Sequence, residues 1–238
     1  MRIVTWNCSM AMHRKLDRLV SLLPDIAVLP ECASPATTSA KPVYSRATSH
    51  AWMGDQPTKG LAVLSFGDWR LTPLPIAGDA RFILPLQVDG PLPFRLLAVW
   101  TQAPDYVEHT HAALTALGPG FFSVPTVIAG DLNSNSIWDA NRVDNHSRLV
   151  ERLRALGIVS AYHEHRGEAH GAESQPTFFL YKQRARPFHL DYVFVPRAWL
   201  RRVRAVDVGS LDAWRDASDH VPVSVTVAER RGRAASRR

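Results

Sequence analysis

The sequence predicts an α+β fold in which two β-sheets pack against each other with helices on the outside. Three observations carry this expectation. Short apolar runs recur along nearly the whole chain with turn residues between them, while only a few stretches show the i, i+3, i+4 spacing of a surface helix. Seventeen prolines and thirteen glycines among 238 residues leave little room for long helices. A hydrophobic content of 46% still supplies a sizeable core.

Arg2–Cys8 alternates as a strand, with Val4, Trp6 and Cys8 on one face and Ile3, Thr5 and Asn7 on the other. Leu16, Leu19, Val20 and Leu23 fall at helical spacing, so a helix with one buried stripe is predicted over His13–Leu23, stopped by Pro24-Asp25. Ile26–Cys32 is nearly all apolar and reads as a buried strand. Further strands are predicted at Gly60–Phe66, Trp69–Leu74, Arg81–Val88 and Phe94–Thr101, with Asp89-Gly90-Pro91 as one of the turns between them. Asp105–Leu117 reads as a helix with Tyr106, Ala113 and Leu117 on one side. Val124–Ala129 is a strand leading into Gly130-Asp131-Leu132-Asn133, and Asn145–Leu156 is a second amphipathic helix closed by Gly157. Strands follow at Thr177–Tyr181, Leu190–Val195, Val203–Val208 and Val221–Val227. No repeat or linker divides the chain, so one domain is expected over residues 1–228.

The remaining residues, 229–238, hold five arginines against one glutamate, which accounts for four of the six net positive charges. The rest of the chain is close to charge balance, so basicity gives little support for nucleic-acid binding outside a tail expected to be disordered and available to polyanions. No stretch is long and apolar enough to cross a membrane, and the N-terminus lacks the apolar core of a secretion signal. A cytoplasmic monomer without stable membrane association is the expectation. Cys8 and Cys32 cannot build a disulfide framework and read as buried thiols.

Polar residues stand repeatedly at the ends of apolar runs: Asn7, Glu31, Asp131, Asn133, Asp191 and the Asp219-His220 pair. One such residue is adequately explained as a turn cap. Four carboxylates, two asparagines and a histidine in comparable positions suggest a shared site, because carboxylates are rarely buried without a partner or a cation. An oxygen-rich cluster with a single imidazole suits a hard ion such as Mg²⁺ or Mn²⁺. Elsewhere, Tyr162–His170 collects His163, His165 and His170. Its polarity and its flanking Gly167 and Gly171 favour a solvated rim over a second metal site. Trp138 and Trp214 lie near the site motifs in sequence and could stack on a base or sugar.

The order Trp6-Asn7, Pro30-Glu31-Cys32, Gly130-Asp131-Leu132-Asn133, Leu190-Asp191-Tyr192 and Ser218-Asp219-His220 resembles the endonuclease/exonuclease/phosphatase superfamily. That group includes DNase I-like nucleases, abasic-site endonucleases, inositol polyphosphate phosphatases and sphingomyelinases. The resemblance runs from residue 3 to about residue 227. It implies a four-layer αββα sandwich of two mixed sheets and a metal-dependent phosphoester hydrolase. It implies Glu31 as the main metal carboxylate, with Asn7 beside it and Asp219 nearby. Asp131 would activate the attacking water, Asn133 would hold that water or a phosphate oxygen, and His220, oriented by Asp191, would donate to the phosphoryl group. Tyr106 matches a tyrosine that contacts the scissile phosphate, and His189 stands where a substrate contact is possible. A nuclease acting on DNA or RNA is the leading expectation. Hydrolysis of a small or lipid phosphoester, such as an inositol phosphate or a sphingomyelin-like lipid, is the alternative.

Overall fold

Apolar runs with no polar face can be buried on both sides, and the chain uses such runs for its central strands. The computed structural model describes residues 1–78, 80–140 and 143–229. In chain order it contains β1 (Arg2–Thr5), α1 (Leu16–Ser21), β2 (Ile26–Cys32), α2 (Lys41–Ser45), β3 (Ser49–Gln56), β4 (Lys59–Ser65), β5 (Arg70–Pro73), β6 (Ile83–Asp89) and β7 (Phe94–Trp100). There follow α3 (Tyr106–Phe121), β8 (Thr126–Asp131), α4 (His146–Ala155), β9 (Ile158–Ser160), α5 (Ala161–Arg166), β10 (Phe178–Phe179) and β11 (Pro187–Phe188). The chain then forms β12 (Asp191–Pro196), β13 (Val203–Val208), α6 (Leu211–Trp214) and β14 (Val223–Val227).

Two six-stranded sheets result, ordered β13-β14-β1-β2-β4-β3 and β5-β6-β7-β8-β12-β9, with β10 and β11 as a separate small ribbon. Each large sheet has one parallel pair, β1 with β2 and β7 with β8, among antiparallel neighbours. The sheets are therefore mixed. Alternate residues of each strand serve different cores. Ile3, Val28 and Val63 meet Leu86, Ala98, Val127 and Val193 between the sheets. Val4, Ala27, Leu29 and Leu64 pack outward with Leu19 of α1 and Val43 of α2. On the far side Leu97, Ile128 and Phe194 pack with Leu114 of α3 and Leu149 and Leu153 of α4. These are the four layers of an α+β sandwich, as predicted. Among the described residues, no helix is long and apolar enough to cross a membrane.

The local differences have physical causes. Hydrogen bonding from Trp6 to Val28 and from Cys8 to Pro30 carries the line of β1 onward, but the strand proper ends at Thr5. The helix predicted over His13–Leu23 splits into a 3-10 turn at Met12–Arg14 and the shorter α1. Positive φ at Ser9, Met10 and Ala11 bends the approach, and Leu23 at φ 51 closes the exit. The segment Ala161–Arg166, expected as a polar connection, is helical, and His163 is buried. The predicted tail lies outside the described residues beyond Glu229.

One glycine is required by a close approach. Gly130, at φ +145, runs so near β7 that a Cβ built on it would lie 1.8 Å from the Val99 carbonyl oxygen. Gly130→Ala is expected to lower stability by about 2–5 kcal/mol through overpacking and backbone strain, read as a lower midpoint in urea unfolding.

Candidate active site

The parallel pairing of β1 and β2 sends Asn7 and Glu31 out at the same rim. The register of β2 on β4 shifts between Pro30 and Cys32, and Glu31 sits in that irregularity at φ 62. A bulge of this kind re-aims a side chain at a sheet edge. In the other sheet, β8 and β12 pair so that Asp131 stands directly opposite Asp191. Two carboxylates placed side by side in a buried position need counter-charge and donors.

The donors come from both sheets. Asn7 Nδ2 donates to Asp131 Oδ2 at 2.9 Å and reaches Glu31 Oε1 at 3.3 Å. The Asn133 backbone donates to Asp131 Oδ1 at 2.9 Å, and its side-chain amide reaches Asp131 Oδ2 at 3.1 Å and the Thr101 carbonyl at 3.0 Å. His220 supplies the counter-charge: its Nδ1 lies 2.8 Å from Asp191 Oδ2, and its Nε2 lies 3.9 Å from Asp131 Oδ2. The ring is held by Ser218, whose hydroxyl accepts from the His220 backbone, and by Trp6, whose indole donates to the His220 carbonyl. Phe178 covers it at a centroid distance of 4.6 Å.

Burial pushes the Asp131 carboxyl up to about 7; Asp191 adds to the shift, while His220 and Asn7 oppose it. Burial alone would lower His220, but Asp191 and Asp131 outweigh it and hold the imidazolium to about 9. The folded pKa of His220 lies above its ordinary 6.5, so its contribution to stability is complete below pH 6.5 and is lost as pH rises through about 9. In chelator, the thermal midpoint is expected to fall as pH rises from 6.5 to 9.5, and a midpoint that stays flat across that range in a pH series of melts would refute this.

Asn7, Glu31, Asp131, Asn133, Asp191 and His220 are thus brought together from distant parts of the chain. Asp219 is half-buried beside Ser218, near enough to the rim that both it and Glu31 act on the Lys15 ammonium. Glu31 and Asp219 offer oxygen donors suited to a hard cation. The Lys59 ammonium, 3.2 Å from Glu31 Oε2, already places positive charge there. Nothing in the sequence marked Lys59, which opens an ordinary strand.

Beside Asn133 opens a cavity of about 360 Å³ whose walls include Phe178, Phe188, Leu190, Tyr106 and Trp138. Tyr106 and Trp138 therefore stand at the cavity, Trp138 with its ring 5.1 Å from Phe188. Phe178, Phe188 and Leu190 went unnoticed in the sequence because each looks like a strand residue. Two expected substrate contacts are corrected. Trp214 packs edge-on against Trp6 at 4.8 Å in the outer core and has no free face. His189 is 3% exposed and turns inward, its Nδ1 on the Gln175 carbonyl and its ring against Tyr162. Cys8 and Cys32 are free buried thiols.

The family model described as "Endonuclease/Exonuclease/phosphatase family" matches residues 4–220. Among solved structures, a 3'-5' exonuclease from Neisseria meningitidis matches with 22% identity and a TM-score of 0.71, covering 95% of this chain and 99% of that one. An AP endonuclease from Archaeoglobus fulgidus matches with 15% identity and a TM-score of 0.73, over 95% and 99%. A 3' phosphatase from Neisseria bound to a product DNA hairpin matches with 21% identity and a TM-score of 0.71, over 96% and 99%. A comparison with curated protein sequences gave no match. At these identities the solved structures speak for the fold, whereas the family match spans nearly the whole chain and all five motifs: the chain belongs to the endonuclease/exonuclease/phosphatase family and is a phosphoester hydrolase of that type.

Proposed function

We propose that the protein is a divalent-metal-dependent nuclease acting on DNA or RNA by in-line attack of water. The observation that carries this reading is the aromatic cavity opening beside Asn133, next to the Asp131–Asp191–His220 cluster. A scissile phosphate held at the cluster would leave an adjoining sugar or base to occupy the apolar cavity. Phe178, Phe188 and Leu190 supply its surface, and Trp138 supplies an exposed face for stacking. The similar solved structures are described as an exonuclease, an AP endonuclease and a DNA-bound phosphatase.

Glu31, with Asn7 beside it and Asp219 on the rim, would hold Mg²⁺ or Mn²⁺, which supplies Lewis-acid polarisation of the phosphoryl group. Asp131 is the proton acceptor for the attacking water. Its raised pKa places it near the operating pH of a general base, while its bonds to Asn7 and Asn133 fix its orientation. Asn133 reaches the mouth of the cavity and orients the water or a phosphate oxygen. His220, protonated and fixed by Asp191, donates from Nε2 to the charge developing on the phosphoryl oxygens. Tyr106 lines the same cavity and would contact the phosphate from its edge.

The near-balanced charge outside the tail favours a second reading, a small or lipid phosphoester substrate. The deciding assay compares plasmid DNA, abasic duplex, single-stranded DNA, RNA, inositol phosphate and sphingomyelin in Mg²⁺ or Mn²⁺, with EDTA and Glu31→Gln as controls. Hydrolysis of a nucleic acid that falls steeply with salt supports the nuclease. Turnover confined to the inositol phosphate or lipid would transfer the assignment to the second reading, and turnover unaffected by EDTA would remove the metal.

A further inference from the structure

A second recess, of about 240 Å³, adjoins Glu31 and shares no wall residue with the apolar cavity beside Asn133. Its walls include Lys59 at the start of β4, Arg81 and Phe82 just before β6, Trp100 at the end of β7 and Gln102 just beyond it. Both sheets fasten it to the reacting centre. From one sheet, Lys59 Nζ lies 3.2 Å from Glu31 Oε2. In the other, Trp100 pairs with Asp131 between β7 and β8, and the Thr101 carbonyl accepts from the Asn133 amide at 3.0 Å.

We propose that this recess is a subsite for a second, non-reacting phosphate group of the substrate, with Lys59 as its anchoring cation. With Glu31 read as the metal carboxylate, on which this assignment rests, the charges decide the ligand. Arg81 pairs with Asp55, another wall residue, so that charge has its own partner. The counter-ion of Lys59 is Glu31, the group a hard cation would take. Two cations on one carboxylate repel each other. An anion beside the ammonium answers the charge that Glu31 gives up. Lysine serves as a point charge for phosphate, and the half-buried Gln102 adds an amide donor in the same wall.

The floor is rigid and aromatic. Phe82 meets Trp100 edge-on at 4.8 Å, and its carbonyl accepts from the Trp100 backbone at 2.9 Å. Phe82 holds φ 56, an uncommon conformation for a bulky residue and one found more often at ligand sites. The Lys59 ammonium stands over the Trp100 ring at 5.2 Å, so the indole steers the flexible stem across the recess. In a polynucleotide an internal scissile phosphate always has phosphate neighbours, so the subsite deepens the nuclease reading. An inositol ring with several phosphates offers the same chemistry.

The test compares Lys59→Ala and Lys59→Arg with the unsubstituted chain in Mg²⁺. The substrates are an oligonucleotide, two versions with an uncharged methylphosphonate on one or other side of the cleaved bond, a chromogenic diester with a single phosphate, an inositol polyphosphate and sphingomyelin. Lys59→Ala is expected to raise KM on the oligonucleotide about tenfold or more, and Lys59→Arg should recover most of the loss. That penalty should shrink to a few fold or less on one methylphosphonate version and on the single-phosphate diester. Mn²⁺ titrated by electron paramagnetic resonance should bind Lys59→Ala at least as tightly as the unsubstituted chain, because a competing cation is gone. An equal penalty on every substrate, or weakened Mn²⁺ binding, would mean that Lys59 only supports Glu31 and would overturn the subsite. Turnover of the inositol polyphosphate alone, with the same Lys59-dependent KM, would keep the subsite and remove the nuclease. Turnover confined to single-phosphate substrates would overturn both. Lys59→Gln replaces the alanine variant if that one does not fold.

Discussion

His220→Ala is expected to lower kcat on the preferred substrate about a thousandfold while leaving KM within a few fold. Among the described residues, the imidazole is the one cation in direct contact with the Asp131–Asp191 pair, and its protonated form persists to about pH 9. Removing a charged donor aimed at developing charge in a water-poor site costs about 10²–10³ in rate. A second loss adds to the first. His220 lowers the pKa of Asp131, so without it the carboxyl rises above about 7 and less of it is ionised at neutral pH. The pH–rate profile of the residual activity should therefore shift to higher pH. Stopped-time assays from pH 6 to 10 check both parts. A variant with more than about a tenth of normal turnover, or an unmoved acidic limb, would remove His220 from the chemistry.

Asp131→Asn should reduce turnover about 10³–10⁴-fold without loss of stability. The amide keeps the shape of the carboxyl but cannot take a proton from water. The folded pKa of Asp131 lies above its ordinary 3.8, so folding favours the protonated acid, and stability falls as pH rises from 3.8 through about 7. A neutral amide removes that loss, although one of its atoms must then face the Asn7 and Asn133 amides. The thermal midpoint at pH 8 should equal or exceed that of the unsubstituted chain in chelator. Normal turnover would assign the proton transfer to another group. Low turnover combined with a large drop in the midpoint would mean that the residue supports the fold instead.

Strands were legible where apolar residues dominate, as at Ile26–Cys32, or are interleaved with charged ones, as at Val203–Val208, and the bounds of both agree with β2 and β13. β3 was not legible, because Ser49–Gln56 mixes polar and apolar residues and pairs on one side alone at the sheet edge. α5 is six residues long and polar at its exposed end, too short for a helical period to appear. The active-site cluster could be read because each member ends an apolar run and so breaks its own context. The cavity could not, because Phe178, Phe188 and Leu190 look like strand residues until the chain is folded. Trp214 misled for a related reason: closeness to Asp219 in sequence placed it near the site, but α6 turns its ring into the outer core against Trp6. A packed group of histidines was half visible. His163 and His170 share a segment, whereas His146 and His189 join them only through the packing of α4 and the approach to β12.

The hydrogen bond from Asn7 to Asp131 runs between residues carried by different β-layers, one continuing β1 and the other ending β8. Whatever lets those layers slide will stretch that link first. Trimming a side chain deep between them, such as Val28 or Val127, leaves every reacting group in place yet alters how the two halves of the machinery face one another. Turnover in this enzyme would then act as a gauge of interior packing, and some substitutions far from any substrate would register as kinetic defects before they registered as unfolding.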